Sequence, residues 1–185
     1  MPQNSMKCHT CDNRAKISFP NGDLCKSCFL GVLYKRIKKE LRSEARFKRD
    51  ARVLVFGALA THFLKHAIEG LPLQITETKI PFTKEILKKD FARYDKVVIP
   101  WTADDEAEVF YLQLQSEKPD FSMLKQEKIV KLFKPILDKE LLQASKLLKI
   151  PFVVPVRDAV FAKIQKRYNT HGMVKSADEF RKAVR

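Results

Sequence analysis

Apolar positions along this chain come in two spacings, and their alternation lays out the elements. Val53–Phe56 is an unbroken run of β-branched and aromatic residues, the mark of a strand buried on both faces. Gly57 interrupts it. Ala58–Glu69 then sets Leu59, Phe63 and Ala67 beside Ala60, Leu64 and Ile68 at helical spacing. The alternation continues, with Leu73–Thr76, Lys96–Ile99, Ile129–Phe133 and Phe152–Val154 reading as further short strands, the second of these closed by Pro100-Trp101. Phe82–Phe91, Ala103–Gln115, Asp138–Lys149, Arg157–Tyr168 and Ser176–Val184 read as helices, and Lys118–Lys125 as a loop with a Pro-Asp turn. Thr102 is placed to cap the helix from Ala103, whose first turn carries Asp104, Asp105 and Glu106. Ser176 with Glu179 makes a capping-box pattern for the last helix. Strands alternating with helices predict an α/β fold, a parallel sheet with helices on both faces.

Ahead of residue 52 the pattern changes. All four cysteines lie in two hooks, Cys8-x2-Cys11 and Cys25-x2-Cys28, with Asn21-Gly22 between them as a tight turn. Two such hooks at this separation suit a tetrahedral four-cysteine zinc site, closed and therefore structural rather than catalytic. After Cys28, Phe29–Lys48 reads as a helix with an intermittent apolar stripe of Phe29, Val32, Leu33, Ile37, Leu41 and Phe47. Its other positions, and Arg49 just beyond it, supply Lys35, Arg36, Lys38, Lys39, Arg42, Arg46, Lys48 and Arg49 against only Glu40 and Glu44. Three segments result: a zinc knuckle over 1–30, a basic linking helix over 31–51, and an α/β domain over 52–185.

Charge sharpens this picture. The formal net charge is +14, and residues 1–52 hold 13 Lys/Arg against 5 Asp/Glu, whereas the other 133 residues hold 23 against 17. So lopsided a helix points to phosphate contact with a folded RNA, because basic side chains on a rigid rod neutralise backbone charge without reading bases. Lys175, Arg181, Lys182 and Arg185 form a smaller basic group at the far end. No apolar run reaches the length of a membrane span, and the polar N-terminus is no secretory signal, so the expected address is cytoplasmic.

The strand–glycine–helix at Arg52–Leu64 has the position of a phosphate loop, but a single glycine and no lysine or serine beside it. His62 and His66, one helical turn apart with no accompanying carboxylate–His motif, read as packing positions. Arg157 and Asp158 read as an exposed ion pair.

Three stretches in this order resemble a family. Cys25-Lys-Ser-Cys-Phe29 running into a basic helix is similar to the N-terminus of the cytosolic tRNA 2-thiolation proteins. KVVIPWTADDEAEVFYLQL (96–114) looks like that family's strand and Ala-Asp-Asp helix start, and VKLFKPILDKELLQASKLLKIPFV (130–153) like its later strand and Lys-Glu helix. Together they span most of residues 7–155. The family's catalytic branch carries a Ser-Gly-Gly-x-x-Ser pyrophosphate (PP) loop, extra core cysteines and a C-terminal metal site. Here the loop reads FGALATHF, with Gly57, Ala58 and Thr61 at its degenerate positions, and no cysteine is left outside the knuckle. The resemblance is therefore to the non-catalytic partner branch, in abbreviated form, with a degenerate PP-loop-like domain. It implies a heterodimer with a catalytic subunit of intact PP-loop, tRNA as ligand, a ubiquitin-like sulfur carrier as a further partner, and structural zinc. It implies no catalytic residue and no bound ATP. Asp104 and Asp105, at a turn lying near ATP in active members, are the weak nucleotide candidates. The alternatives are an active ATP-dependent thiolation enzyme with a divergent loop and a zinc-ribbon nucleic-acid adaptor.

Overall fold

The structure is a computed structural model that describes residues 7–19, 22–45, 47–119, 127–167 and 170–183. The chain runs α1 (Lys26–Glu44), β1 (Arg52–Phe56), α2 (Ala58–Ala67), β2 (Gln74–Thr78), a 3-10 turn (Lys84–Lys88) and β3 (Lys96–Thr102). It continues through α3 (Ala103–Leu114), β4 (Ile129–Phe133), α4 (Asp138–Leu148), α5 (Ala159–Arg167) and α6 (Thr170–Ala183). The four strands form one parallel sheet in the order β2-β1-β3-β4, with Val53 opposite Ile75, Leu54 opposite Val97 and Val98 opposite Val130. From β1 the chain steps one way to β2, then crosses back to β3 and onward to β4. Right-handed crossovers therefore put α2 and α3 on opposite faces. The expected two-sided parallel sheet is what the chain builds.

The period of two along each strand sorts the core into two layers. Val53, Val55, Val98, Val130 and Leu132 meet Leu33, Ile37 and Leu41 of α1, Leu59, Phe63 and Leu64 of α2, and Leu141 and Ala144 of α4. Leu54, Phe56, Val97, Ile99 and Trp101 point the other way, onto Ile86, Leu87 and Val109. Each large side chain so buried contributes about 1.5–3 kcal/mol. Cys8, Ile17, Leu24, Cys25, Phe29 and Leu30 belong to the first layer, so the cysteine segment and α1 share one core with the sheet.

Several elements differ from the sequence expectation, each for a local reason. Helix α1 begins at Lys26 rather than Phe29 because the Cys25 sulfur caps it, accepting from the Cys28 N–H, and it ends at Glu44. β2 lies slightly later than Leu73–Thr76. The predicted helix over Phe82–Phe91 shrinks to the 3-10 turn, where Phe82, Ile86, Leu87 and Phe91 act as a lid over the second layer. β3 does not stop at Ile99. It runs through Pro100 to Thr102 by a register shift against β4 between those two residues, which accommodates a residue with no N–H to give. Phe152–Val154 forms no strand, leaving β4 at the sheet's edge among the described residues. α5 starts at Ala159, with the Asp158 carboxylate accepting from the N–H groups of Val160 and Phe161. α6 starts at Thr170, placing Ser176 in its interior, because packing on α3 with Ala177 fully buried outweighs the capping pattern. Asn21, Arg46, residues 120–125 of the expected loop, Tyr168, Val184 and Arg185 lie outside the described residues, as do the side chains of Arg181 and Lys182.

Lys149 ends α4 at φ 57°, a left-handed conformation that costs a side-chain-bearing residue. Lys149→Gly is expected to raise stability by about 0.5–1 kcal/mol, read as a higher urea midpoint at unchanged slope.

Candidate functional site

The cysteine segment is held by short antiparallel bridges, Lys7 with Arg14 and Ile17 with Leu24. The Cys8 N–H donates to the Asn13 carbonyl (2.9 Å) and the His9 N–H to the Asp23 carbonyl (2.8 Å). Gly22 sits at φ 113° against the His9 ring, where a Cβ would come within 2.9 Å. This brings both hooks together, the second on the first turn of α1. The four ligand sulfurs all lie within 4.8 Å of one another. Cys11 Sγ is 3.6 Å from Cys25 Sγ and 3.5 Å from Cys28 Sγ. A tetrahedral ion with metal–sulfur bonds of about 2.3 Å spaces its ligands by roughly 3.8 Å, so the donor set fits a single metal ion.

The thiols are electrostatically uneven. Burial works to raise Cys8, but hydrogen bonds from the backbone of Cys25, Thr10 and Cys11 outweigh it and bring the thiol down to about 6. Cys25 is lowered chiefly by the Cys28 backbone N–H. Cys28 is pushed up to about 12 by its hydrogen bonds with the Cys11 and Cys25 sulfurs and by burial. Four thiolates side by side need a cation among them.

The second feature lies at the carboxyl edge of the sheet, where ligands of open α/β folds bind. Gly57 turns the chain from β1 into α2 at φ 87°, donating its N–H to the Thr78 carbonyl (3.2 Å). Ala58 is exposed. Leu59 and Ala60 turn into the core, and Thr61 Oγ1 donates back to the Gly57 carbonyl (3.2 Å). The neighbouring strand end is filled with charge. As the sequence suggested, Thr102 caps α3, forming a capping box with Asp105. Asp105 Oδ1 takes Arg157 Nη1 at 2.6 Å, and Asp138, at the start of α4, takes Nη2 at 2.6 Å. Glu108 accepts from Arg157 (3.1 Å), from Lys84 (2.8 Å) and from the Asp158 N–H (2.7 Å). Asp104 accepts from the Asp138 N–H and from Gln165 Nε2, both at 2.6 Å.

Arg157 is thus not half of an exposed pair with Asp158. Its side chain is 7% exposed and is the hub of the cluster. Burial pushes the Asp105 and Asp138 carboxyls up, with Arg157 opposing. Burial would also raise Glu108, but the Lys84 and Asp158 hydrogen bonds hold it below its ordinary value. Burial disfavours the charge on Arg157, yet Asp105 and Asp138 raise its pKa above the usual arginine range. Nothing in the local pattern marks Arg157, Glu108 or Asp138 as partners. The one available signal was four acidic residues packed into 104–108 with no basic residue in the same helix.

The third feature is the outer face of α1. Lys35, Lys38, Lys39 and Arg42 follow one another at helical spacing, are exposed, and line a shallow depression with Ser43. Lys48 and Arg49 are exposed beyond it. Arg36 is placed differently, with Nη1 on both Glu140 carboxylate oxygens (3.0 and 3.2 Å) and its guanidinium 5.2 Å over the Phe19 ring. His62 and His66 do pack. His62 Nε2 is 2.8 Å from the Tyr34 hydroxyl, and the His66 ring lies 3.8 Å from that of Tyr34.

Arg157→Met is expected to destabilise by about 3–5 kcal/mol, because it strands buried carboxylates. The loss should be smaller at pH 5 than at pH 8. Asp105 and Asp138 are already raised by burial, so the folded variant takes up protons as pH falls and its unpaired charge is relieved. Denaturant titrations at both values check the sign.

No protein-family model matches this chain, and no curated protein matches it. Among solved structures it is similar to the U34-tRNA thiolase NcsA from Methanococcus maripaludis, determined with its [4Fe-4S] cluster. The TM-score is 0.66 at 15% identity, over 96% of this chain and 87% of that one. A likeness of that depth establishes the architecture alone: the chain shares the overall fold of that structure.

Proposed function

We propose that this chain is a non-catalytic, tRNA-binding scaffold subunit of a heterodimer that 2-thiolates the wobble uridine of cytosolic tRNAs. The observation that carries the reading is the carboxyl edge of the sheet. In a fold shared with a tRNA thiolase, the β3 and β4 ends of that edge are filled by the chain's own Arg157 and its carboxylates, and Asp104 and Asp105 are 2% and 4% exposed with their oxygens engaged. The loop after β1 offers one glycine, Gly57, followed by the exposed Ala58, with no second glycine, lysine or serine to help cradle a pyrophosphate.

The metal in this reading is one structural zinc on Cys8, Cys11, Cys25 and Cys28. A [4Fe-4S] cubane ties each cysteine to a different iron and so spreads the sulfurs more widely than neighbours at 3.5 and 3.6 Å. All four cysteines of the chain are then committed, leaving none to carry sulfur. Chemistry belongs to a catalytic paralogue with an intact PP-loop, supplied with sulfur by a ubiquitin-like carrier in the cytoplasm. The exposed bases of α1 hold tRNA phosphates beside it.

Purified protein should carry one zinc and bind tRNA with an affinity that falls steeply with salt. Replacing Lys38, Lys39 and Arg42 by Glu is expected to weaken tRNA binding roughly 10-fold or more and to flatten the salt slope by about 0.9 per lost phosphate contact. Normal 2-thiouridine in tRNA from cells lacking the protein would sink the proposal. Calorimetry with ATP should give no binding heat; binding that Asp104→Ala removes would mean an active enzyme instead.

A further inference from the structure

The stretch 151–156, Pro-Phe-Val-Val-Pro-Val, joins α4 to α5 without helix or strand of its own. Val153 is 84% exposed, Val156 99% and Val154 37%, and Val160 at the start of α5 adds 54%. Valine is among the residues most often buried, and four in eight positions facing water form a patch rather than scatter.

This strap is anchored at both ends. Upstream, the Ile150 N–H donates to the Ser145 carbonyl (3.1 Å), Ser145 Oγ donates to the Ile150 carbonyl (2.6 Å), and Phe152 packs on the core. Downstream, Arg157 sits in its carboxylate cluster and the Asp158 N–H is bound by Glu108. Pro151 and Pro155 favour an extended backbone at Ile150 and Val154. Val153 and Val156 are therefore held outward by a segment already ordered in the free chain, which spares a binding partner the ordering cost.

Charge selects the occupant. Among the described side chains of 139–165, the exposed charges are Lys139, Lys146, Lys149 and Lys163, against Asp158, whose carboxylate caps α5. A second copy would set lysine against lysine, in a chain already at +14. A different protein with carboxylates around an apolar socket meets both features. We infer that the strap is the surface on which the catalytic paralogue docks, Val153 and Val156 entering an apolar socket rimmed by acidic residues. The inference rests on the heterodimer proposed above and adds its interface.

The test mixes the full chain with the paralogue of intact PP-loop from the same organism and measures Kd by calorimetry at low and high salt. Val153→Asp with Val156→Asp is expected to weaken the complex roughly 30-fold or more. Zinc content, thermal midpoint and tRNA affinity should stay unchanged, since both side chains face water. Val153→Ala with Val156→Ala should give a smaller loss in the same direction, and Lys146→Glu with Lys149→Glu should weaken binding most at low salt. Wild-type binding that the Asp pair leaves intact overturns the interface while the heterodimer stands. No binding by the wild-type chain overturns the heterodimer itself. Self-association in sedimentation that the Asp pair abolishes would replace the paralogue by a second copy.

Discussion

The guanidinium of Arg157 is the point on which the carboxyl edge of the sheet depends. It reaches from the segment after α4 to carboxylates at the starts of α3 and α4, two elements that follow different strands. Without it, Asp105 and Asp138 would lie buried within one small volume, each raising the cost of ionising the other. A buried ion cluster of this kind is not itself proof of high stability, because desolvation takes back most of the attraction. Its consequence is geometric. The cluster sets where α3, α4 and the strap can stand, and it fills the carboxyl ends of β3 and β4 with the chain's own side chains.

Helix α1 makes a second link, within the core layer it shares with α2 and α4. Its Leu33, Ile37 and Leu41 are inside the layer formed by the sheet and α2, and Tyr34 stacks with His66 while its hydroxyl meets His62. Its N-cap and first turn supply two of the four cysteines, Cys25 and Cys28. A metal on those sulfurs would therefore fix the end of a helix that the sheet already holds along its length. Arg36 adds a tie to α4 through Glu140, 7% exposed. What faces solvent on α1 is the row Lys35, Lys38, Lys39 and Arg42, presented on a rod that cannot turn.

Most of the architecture was readable because short-range rules govern it. Apolar runs gave β1, β3 and, around Lys131, β4, helical spacing gave α2, α3 and α4, and the CxxC pair gave the four cysteines that the fold brings together. The misreadings arose where distant contacts override local preference. Pro100 reads as a strand end, yet β4 on one side and burial of Trp101 keep the chain extended past it. Phe152–Val154 has strand composition, but with its neighbouring anchors fixed the segment passes without pairing. Arg157 and Asp158, adjacent in sequence, look like partners. In the fold they take different partners: Arg157 donates into the carboxylate cluster, and the Asp158 carboxylate accepts from the α5 amides.

The same reasoning explains why an edge without phosphate glycines keeps so many buried charges. An apolar replacement of Asp105, Glu108, Asp138 and Arg157 would pack as well and avoid the desolvation cost. It would, however, give up directionality. Thr102 reaches Asp138 at 2.7 Å, and the Asp138 N–H reaches Asp104 at 2.6 Å, so the α3 and α4 starts are locked by paired donors and acceptors and not by shape alone. The same lock ties α1, through Arg36 and Glu140, and the strap, through Arg157 and Asp138, to the one start of α4.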